Sequence, residues 1–351
     1  MEHEALLWEP DGSRIHCLLC PNDCRIAVGA RGTCGVRENR AGRLIALTYG
    51  LVSSVAVDPI EKKPVCHYRP GTTALSLGSV GCSMRCAHCQ NWQISRAAVG
   101  EDPHLEFLEP SAVPDLARRH GCAGVAFTYN EPVIWAEYVL DVARYSHENG
   151  LYTVMVTNGY VTEAGLDLLG PLIDVWRVDV KGFDDATYRR LCKVRSVKPV
   201  LEMAERAKSR WGMHVEVVTN VIPTVNDDDR TLRGIAGWIR SGPGEDTPWH
   251  ITRFFPYLDL SHLERTPLET LERARRIGHE ERLHHVFLGN VDVSGGEDTV
   301  CPACGSVAVR RRGYTIVDRH VSDGACARCG APLGIIGGDE PLSWKPTSHG
   351  G

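Results

Sequence analysis

Seven short runs rich in Val and Ile, separated by helical patterns, restrict the folds open to this chain of 351 residues. They are Ala74–Val80, Val125–Thr128, Tyr152–Thr157, Val175–Val180, His214–Asn220, Ile251–Phe255 and His285–Leu288. Strands covered on both faces read as nearly unbroken apolar runs, and strands alternating with helices build a parallel sheet. After Glu131, Pro132 takes a first-turn position, Trp135, Val139, Val142 and Ala143 follow on one stripe, and Gly150 stops the helix. Thr266-Pro267-Leu268-Glu269 reads as a capping box ahead of a stripe of Leu268, Leu271 and Ile277. Asn226-Asp227 opens a further helix that buries Leu232, Ile235 and Ile239. Roughly six βα units predict an α/β barrel or partial (β/α)6-type barrel over residues 67–290, with a doubly wound open sheet as the competing arrangement. A barrel collects its chemistry at the C-terminal ends of its strands. There stand Cys82, Asn130-Glu131, Asn158, Asp179 with Lys181, and Asn220.

The loop after the first run carries Cys82, Cys86 and Cys89 in the spacing C-x3-C-x2-C. Three thiolates from so short a loop can take three corners of an iron–sulfur cubane, since soft sulfur suits such centres. A [4Fe–4S] cluster normally has four cysteine ligands, so a triplet leaves one iron open for chemistry. The competing reading is a zinc loop that borrows a remote fourth ligand.

The remaining cysteines, of 14 in all, fall mostly into two further groups. Cys17, Cys20, Cys24 and Cys34 lie in a segment, residues 1–66, with too little apolar area to fold by burial alone. They read as a zinc site or an auxiliary Fe–S site, with disulfides as the third option. Cys301, Cys304, Cys326 and Cys329 form C-x2-C-x21-C-x2-C within residues 291–351, a tetrahedral site of zinc-ribbon or rubredoxin-like type holding Zn or Fe. Cys66, Cys122 and Cys192 stand alone and read as buried small hydrophobes. Arg310-Arg311-Arg312, between the C-terminal knuckles, reads as a solvated face.

Charge is nearly balanced, with 39 Lys+Arg against 44 Asp+Glu and a net of −5, which argues against a general nucleic-acid binder. Residues 1–5 lack the basic-then-apolar order of a signal peptide, and no apolar run reaches the roughly 18 residues of a membrane span. A cytoplasmic protein in a reducing compartment, with no membrane contact, is the expectation. The tail Lys345–Gly351 is polar and reads as frayed.

The triplet placed after the first strand resembles the radical S-adenosylmethionine (SAM) superfamily. The resemblance implies a [4Fe–4S] cluster whose open iron binds the amino and carboxylate groups of SAM. One electron then cleaves the sulfonium reductively to methionine and a 5′-deoxyadenosyl radical, which abstracts hydrogen from a substrate. Thr128-Tyr129-Asn130-Glu131-Pro132 stands where these enzymes hold the SAM amino group. Capping of the next helix is the plain alternative for Asn130 and Glu131. Val156-Thr157-Asn158-Gly159 is similar to the Thr-Asn-Gly motif of glycyl-radical-enzyme activators, which lines the SAM pocket. Asp179-x-Lys181 resembles their Asp-x-Lys motif, implying contact with SAM. Position 179 shares a strand face with 181, so a mutual salt bridge is the alternative. His88 stands where the superfamily places an aromatic, beside the cluster. His250, at a strand start, reads as structural, and Arg253 is positioned to meet a carboxylate or phosphate.

With the terminal cysteines, Lys62-Lys63-Pro64, Cys89-Gln90-Asn91-Trp92 and Lys181-Gly182-Phe183 added, the chain resembles the AmmeMemoRadiSam system radical SAM enzymes. These are relatives of the pyruvate formate-lyase activating enzymes. Activators carry a His that contacts SAM after a Pro-aromatic pair; here Pro256-Tyr257 is followed by Leu258. The implied partners are a low-potential electron donor of flavodoxin or ferredoxin type and a substrate that is either a protein or a small molecule. Activation of a glycyl radical enzyme is one specific form of this function. A catalytically silent metal-binding scaffold is the alternative from another class.

Overall fold

The computed structural model describes residues 2–97, 99–100 and 105–339. Its centre is one mixed sheet of β1 (Ser54–Pro59), β2 (Thr73–Gly78), β3 (Gly124–Phe127), β4 (Tyr152–Thr157), β5 (Val175–Asp179), β6 (His214–Val221), β7 (Trp249–Arg253) and β8 (Val286–Gly289). Spatial order follows chain order. Strands β2 to β8 are parallel, and β1 runs antiparallel on the outer side of β2. Stepwise neighbour-to-neighbour winding without reversal is barrel topology, not the doubly wound sheet. No ladder joins β8 to β1 among the described residues, so the barrel is incomplete.

The strands are close to fully buried because Val, Ile and aromatic side chains fill both faces. The seventh begins at Trp249 rather than Ile251, since Trp249 and His250 are buried in the ladder and Phe255 is already exposed. Outside lie α1 (Val113–Arg119), α2 (Ala136–Glu148), α3 (Glu163–Leu169), α4 (Lys198–Trp211), α5 (Asp229–Ile239) and α6 (Leu268–Glu280). Trp135, Val139, Val142 and Ala143 are buried, and Gly150 takes φ +72°, the left-handed conformation that ends the helical path.

Three local readings are corrected. The stretch from Pro132 to Trp135 is a tight 3-10 turn before α2. Thr266 makes no capping box; its hydroxyl accepts from the Phe254 N–H at 2.9 Å and donates to the Val221 carbonyl at 2.6 Å. Asp228, not Asn226, caps α5, accepting from the Thr231 N–H at 3.0 Å. Asn226 turns inward and donates to the carbonyls of Lys181 and Asn220, each at 3.0 Å.

The N-terminal segment forms a small antiparallel sheet of Trp8–Asp11, Arg14–Cys17 and Arg25–Ala27, and a ribbon of Arg37–Arg40 with Arg43–Ala46. The C-terminal segment centres on the hairpin of β9 (Val307–Arg312) and β10 (Thr315–Arg319) over its own core, which includes Cys301, Val309, Cys326 and Leu333. Main-chain bonds tie it to the start of the barrel, from the Ile336 N–H to the His67 carbonyl (2.8 Å) and from the Arg69 N–H to the Ile336 carbonyl (2.7 Å). The tail Lys345–Gly351 lies outside the described residues. No helix among them is long and apolar enough to cross a membrane.

Candidate active site

A cavity of about 440 Å³ opens at the C-terminal ends of the strands. It gathers every sequence-predicted residue of the central motifs: Cys82, Cys86, Cys89, Asn130, Glu131, Thr157, Asn158, Asp179 and Lys181. The terminal cysteine groups lie outside its lining.

The cysteine loop is anchored at its base by a reciprocal clamp. Ser79 N–H donates to Asn130 Oδ1 at 3.0 Å, while Asn130 Nδ2 donates to the carbonyls of Val80 and Gly81 at 3.2 and 3.1 Å. Gly81 then takes φ +84°, and a Cβ there would sit 2.6 Å from the Cys34 carbonyl oxygen, so only glycine fits this crossing. The loop's far side is held by main-chain bonds from Arg85 and Ala87 to the carbonyls of Cys192 and Leu191. Cys66, Cys122 and Cys192 are all buried.

Glu131 is the hub of the opposite wall. It caps the turn at Pro132, accepting from the Val133 N–H at 3.0 Å. It also accepts from Thr157 Oγ1 at 2.6 Å and the Asn158 N–H at 2.7 Å. Burial pushes its carboxyl up to about 7, despite these donors. Asn158 carries the network onward, since its Nδ2 lies 3.1 Å from Ser83 Oγ and 3.6 Å from Cys82 Sγ. The capping role and the cavity position are therefore held by one side chain.

Asp179 and Lys181 do pair, at 2.9 Å, and Arg177 Nη1 reaches the other Asp179 oxygen at 2.6 Å. Burial opposes charge on Asp179, but Arg177 and Lys181 outweigh it and hold the carboxyl below its ordinary value. Burial likewise opposes charge on Lys181, and Asp179 outweighs it. His88 is buried beside this pair; desolvation, then the Lys181 charge, bring its pKa down to about 3, so it is neutral.

Several residues that line the cavity or hold its lining in place escaped the sequence reading. Asp58 accepts from Lys62, Lys63 and the Tyr129 hydroxyl at 2.8, 2.6 and 2.9 Å, and Lys63 Nζ also lies 4.8 Å from the Tyr129 ring centroid. Deeper in, Glu216 accepts from the N–H groups of Cys66 and His67 and lies 2.9 and 2.6 Å from the Nε2 atoms of His214 and His250. His250 is thus both a lining residue and a structural one. Arg311 corrects the reading of a solvated arginine run: it is 7% exposed and lines the cavity. Its guanidinium donates to the carbonyls of Glu297 and Cys66 and to Thr299, with Glu61 Oε1 3.7 Å from its Nε. Strand alternation held the clue, because Val307, Val309 and Arg311 share one face. Arg253 also lines no part of this cavity, and its Nε has no partner among the described residues.

At the C-terminus the Sγ atoms of Cys301, Cys304, Cys326 and Cys329 all lie within 4.8 Å of one another. Cys301–Cys329 and Cys304–Cys326 are 3.7 and 3.8 Å apart. A tetrahedral ion with bonds of about 2.3 Å sets its sulfurs about 3.8 Å apart. The N-terminal set is different. Burial, then the neighbouring sulfurs of Cys34, Cys17 and Cys24, push the Cys20 thiol up to about 12. Yet no three of these sulfurs meet the 4.8 Å spacing, and neither do those of the Cys82 loop. All fourteen cysteines are free thiols in the structure.

The model of the radical SAM superfamily matches residues 77–233, the stretch that supplies the Cys82 loop, Glu131, Asn158 and Asp179. An uncharacterized protein of Methanocaldococcus jannaschii is 40% identical over 336 residues, covering 95% of this chain and 99% of its own. The chain belongs to the radical SAM superfamily. Pyruvate formate-lyase-activating enzymes of Clostridium pasteurianum and Escherichia coli are 26% and 27% identical to this radical SAM enzyme, over 46% of its length and 67% and 65% of theirs. A radical SAM methyltransferase from Sphaerobacter thermophilus superposes with a TM-score of 0.50 at 17% identity, over 67% of this chain and 70% of that one, which is a likeness of fold. The enzyme accordingly uses a [4Fe–4S] cluster and SAM. The donor set suits them, because thiols spread wider than single-ion spacing face a carboxylate and an ion-paired lysine across one cavity.

Proposed function

We propose that Cys82, Cys86 and Cys89 hold the [4Fe–4S] cluster and that Asn130, Glu131, Thr157, Asn158, Asp179 and Lys181 surround SAM. Bound there, the cluster supplies the electron that parts SAM into methionine and a 5′-deoxyadenosyl radical able to take hydrogen from a substrate. The observation that carries this reading is the continuous network from Cys82 Sγ through Asn158 to Glu131. Glu131 meets an ammonium group as its carboxylate, and Thr157 and Asn158 N–H keep that carboxylate oriented. Asn130 fixes the loop that carries the first cysteine. Lys181, pinned by Asp179, faces the cavity as a fixed cation for a carboxylate.

The substrate reading we favour is a small polar molecule. Beneath the motifs the lining turns to Glu61, Arg177, His250 and Arg311. Glu61 Oε2 and Arg311 Nε are buried with no hydrogen-bond partner among the described residues, leaving an acceptor and a donor for a ligand. Activation of a glycyl radical enzyme is the second reading, supported by the kinship to activating enzymes over about half the chain. For the C-terminal four-cysteine site we propose zinc, and for the electron source a flavodoxin- or ferredoxin-type donor in the cytoplasm.

The test is anaerobic reconstitution with iron and sulfide, followed by SAM, dithionite and quantification of 5′-deoxyadenosine. Wild type forms it, and Cys86→Ala loses at least 100-fold. Equal trace yields from the two proteins would sink the assignment.

A further inference from the structure

The N-terminal cysteines are stitched to the very loop that carries Cys82. Asn22 Nδ2 lies 3.6 Å from Cys20 Sγ and donates to the Ser83 carbonyl at 2.7 Å, so one side chain spans a sulfur of one set and the residue next to Cys82 in the other. Arg85, inside the loop, donates to the Thr33 carbonyl at 3.1 Å, next to Cys34. At Gly81 the backbones touch, with the Cys34 carbonyl so close that no Cβ could stand there. Three separate contacts thus bring Cys20 and Cys34 against the first half of one short loop, at Gly81, Ser83 and Arg85.

Sulfur spacing separates this site from the C-terminal one. The C-terminal sulfurs already stand at the edge length of a single tetrahedral ion, whereas no three of the N-terminal sulfurs, and not the three of the loop, lie mutually within 4.8 Å. Sulfurs on the corners of a cubane are farther apart than sulfurs on one ion. Donors are also aimed at the N-terminal sulfurs: the Thr33 N–H lies 3.4 Å from Cys24 Sγ, alongside Asn22 at Cys20. Hydrogen bonds to cluster sulfurs are among the determinants of reduction potential.

From these contacts we infer that Cys17, Cys20, Cys24 and Cys34 hold a second, fully ligated [4Fe–4S] cluster that relays electrons to the Cys82 loop. The inference rests on the proposed role of that loop. In the relay, a low-potential one-electron donor is oxidised by one electron and the N-terminal cluster is reduced by one. That electron then passes to the centre at the Cys82 loop, and no atom or proton changes place. All four N-terminal irons are ligated by cysteine, so this cluster has no open iron for SAM.

Reconstituted full-length enzyme, assayed for iron, zinc and sulfide and by Mössbauer and EPR, tests the assignment. The expected content is about eight irons per chain, two cubanes of four, besides the C-terminal metal. Cys20→Ala/Cys24→Ala should retain about four irons and the SAM-dependent change in the loop cluster's EPR signal. With reduced flavodoxin as donor, its 5′-deoxyadenosine formation should fall at least tenfold. Asn22→Ala keeps every ligand and guards against a folding defect; it should keep the wild-type iron content and lose several-fold in flavodoxin-driven rate. Zinc released from the N-terminal site in place of iron would overturn the cluster. Iron lost without any fall in the flavodoxin-driven rate would overturn the relay. Failure of the loop reading shows separately, as an EPR signal in wild type that ignores SAM, because metal counting at the N-terminal cysteines does not depend on it.

Discussion

The two terminal four-cysteine segments differ in what their sulfurs are already doing. At the C-terminus two pairs stand 3.7 and 3.8 Å apart above a small core of their own. At the N-terminus the sulfurs stay spread, and the segment spends its contacts on the Cys82 loop instead. Equal ligand count therefore conceals two architectures, a self-contained knuckle pair and an attachment to the Cys82 loop. Spacing within the folded chain, not number in the sequence, tells them apart.

The largest effect that would sharpen this contrast comes from emptying the knuckles. Cys304→Ser/Cys329→Ser should release the C-terminal metal and destabilise the protein by on the order of 5 kcal/mol, read by zinc analysis and calorimetry. An unchanged melting profile would mean that the hairpin core holds the module unaided. Next comes Arg311→Met, which strips the cation from buried Glu61 and leaves the Cys66 carbonyl without its donor. A loss of about 3–5 kcal/mol is expected in chemical denaturation. A loss below about 1 kcal/mol would show that the module does not brace the barrel.

The smallest effect is one of pH. Burial raises the Glu61 carboxyl to about 7, with Arg311 opposing. A carboxyl raised in the folded state favours folding while protonated, so its contribution is complete below its unfolded value and disappears as pH climbs through about 7. Wild type should lose on the order of 1–2 kcal/mol of stability between about pH 5 and pH 8 from this group, and Glu61→Gln should flatten that slope. Parallel slopes for the two proteins would place the titration elsewhere.

Much of this molecule was legible in its residues. Val- and Ile-rich runs located seven strands, because strands buried on both faces leave little room for polar residues. Polar residues directly after those runs marked the cavity, since a barrel offers its functional groups there. What stayed hidden was set by tertiary choice between equivalent local options. Thr266 and Asn226 had the chemistry of helix caps, but long-range carbonyls at Val221 and Lys181 claimed them. Arg311 sat in a run of three arginines, and only its strand face, paired with the barrel entrance, buried it. Asp58 and Glu216 carried no motif at all; their partners lie on elements far away in sequence.

The cavity wall is completed by residues late in the chain. The lower cavity is finished by Arg311 and by Glu297, and Ile336 pairs with the backbone beside Tyr68. A ribosome delivers residues 297–336 after every strand of the sheet has emerged. Until then Glu61 and the Cys66 carbonyl face water with no guanidinium to meet them. A nascent chain can thus wind its strands early but cannot complete the chamber until residues 297–336 dock, which makes closing of that space a later event than winding of the sheet.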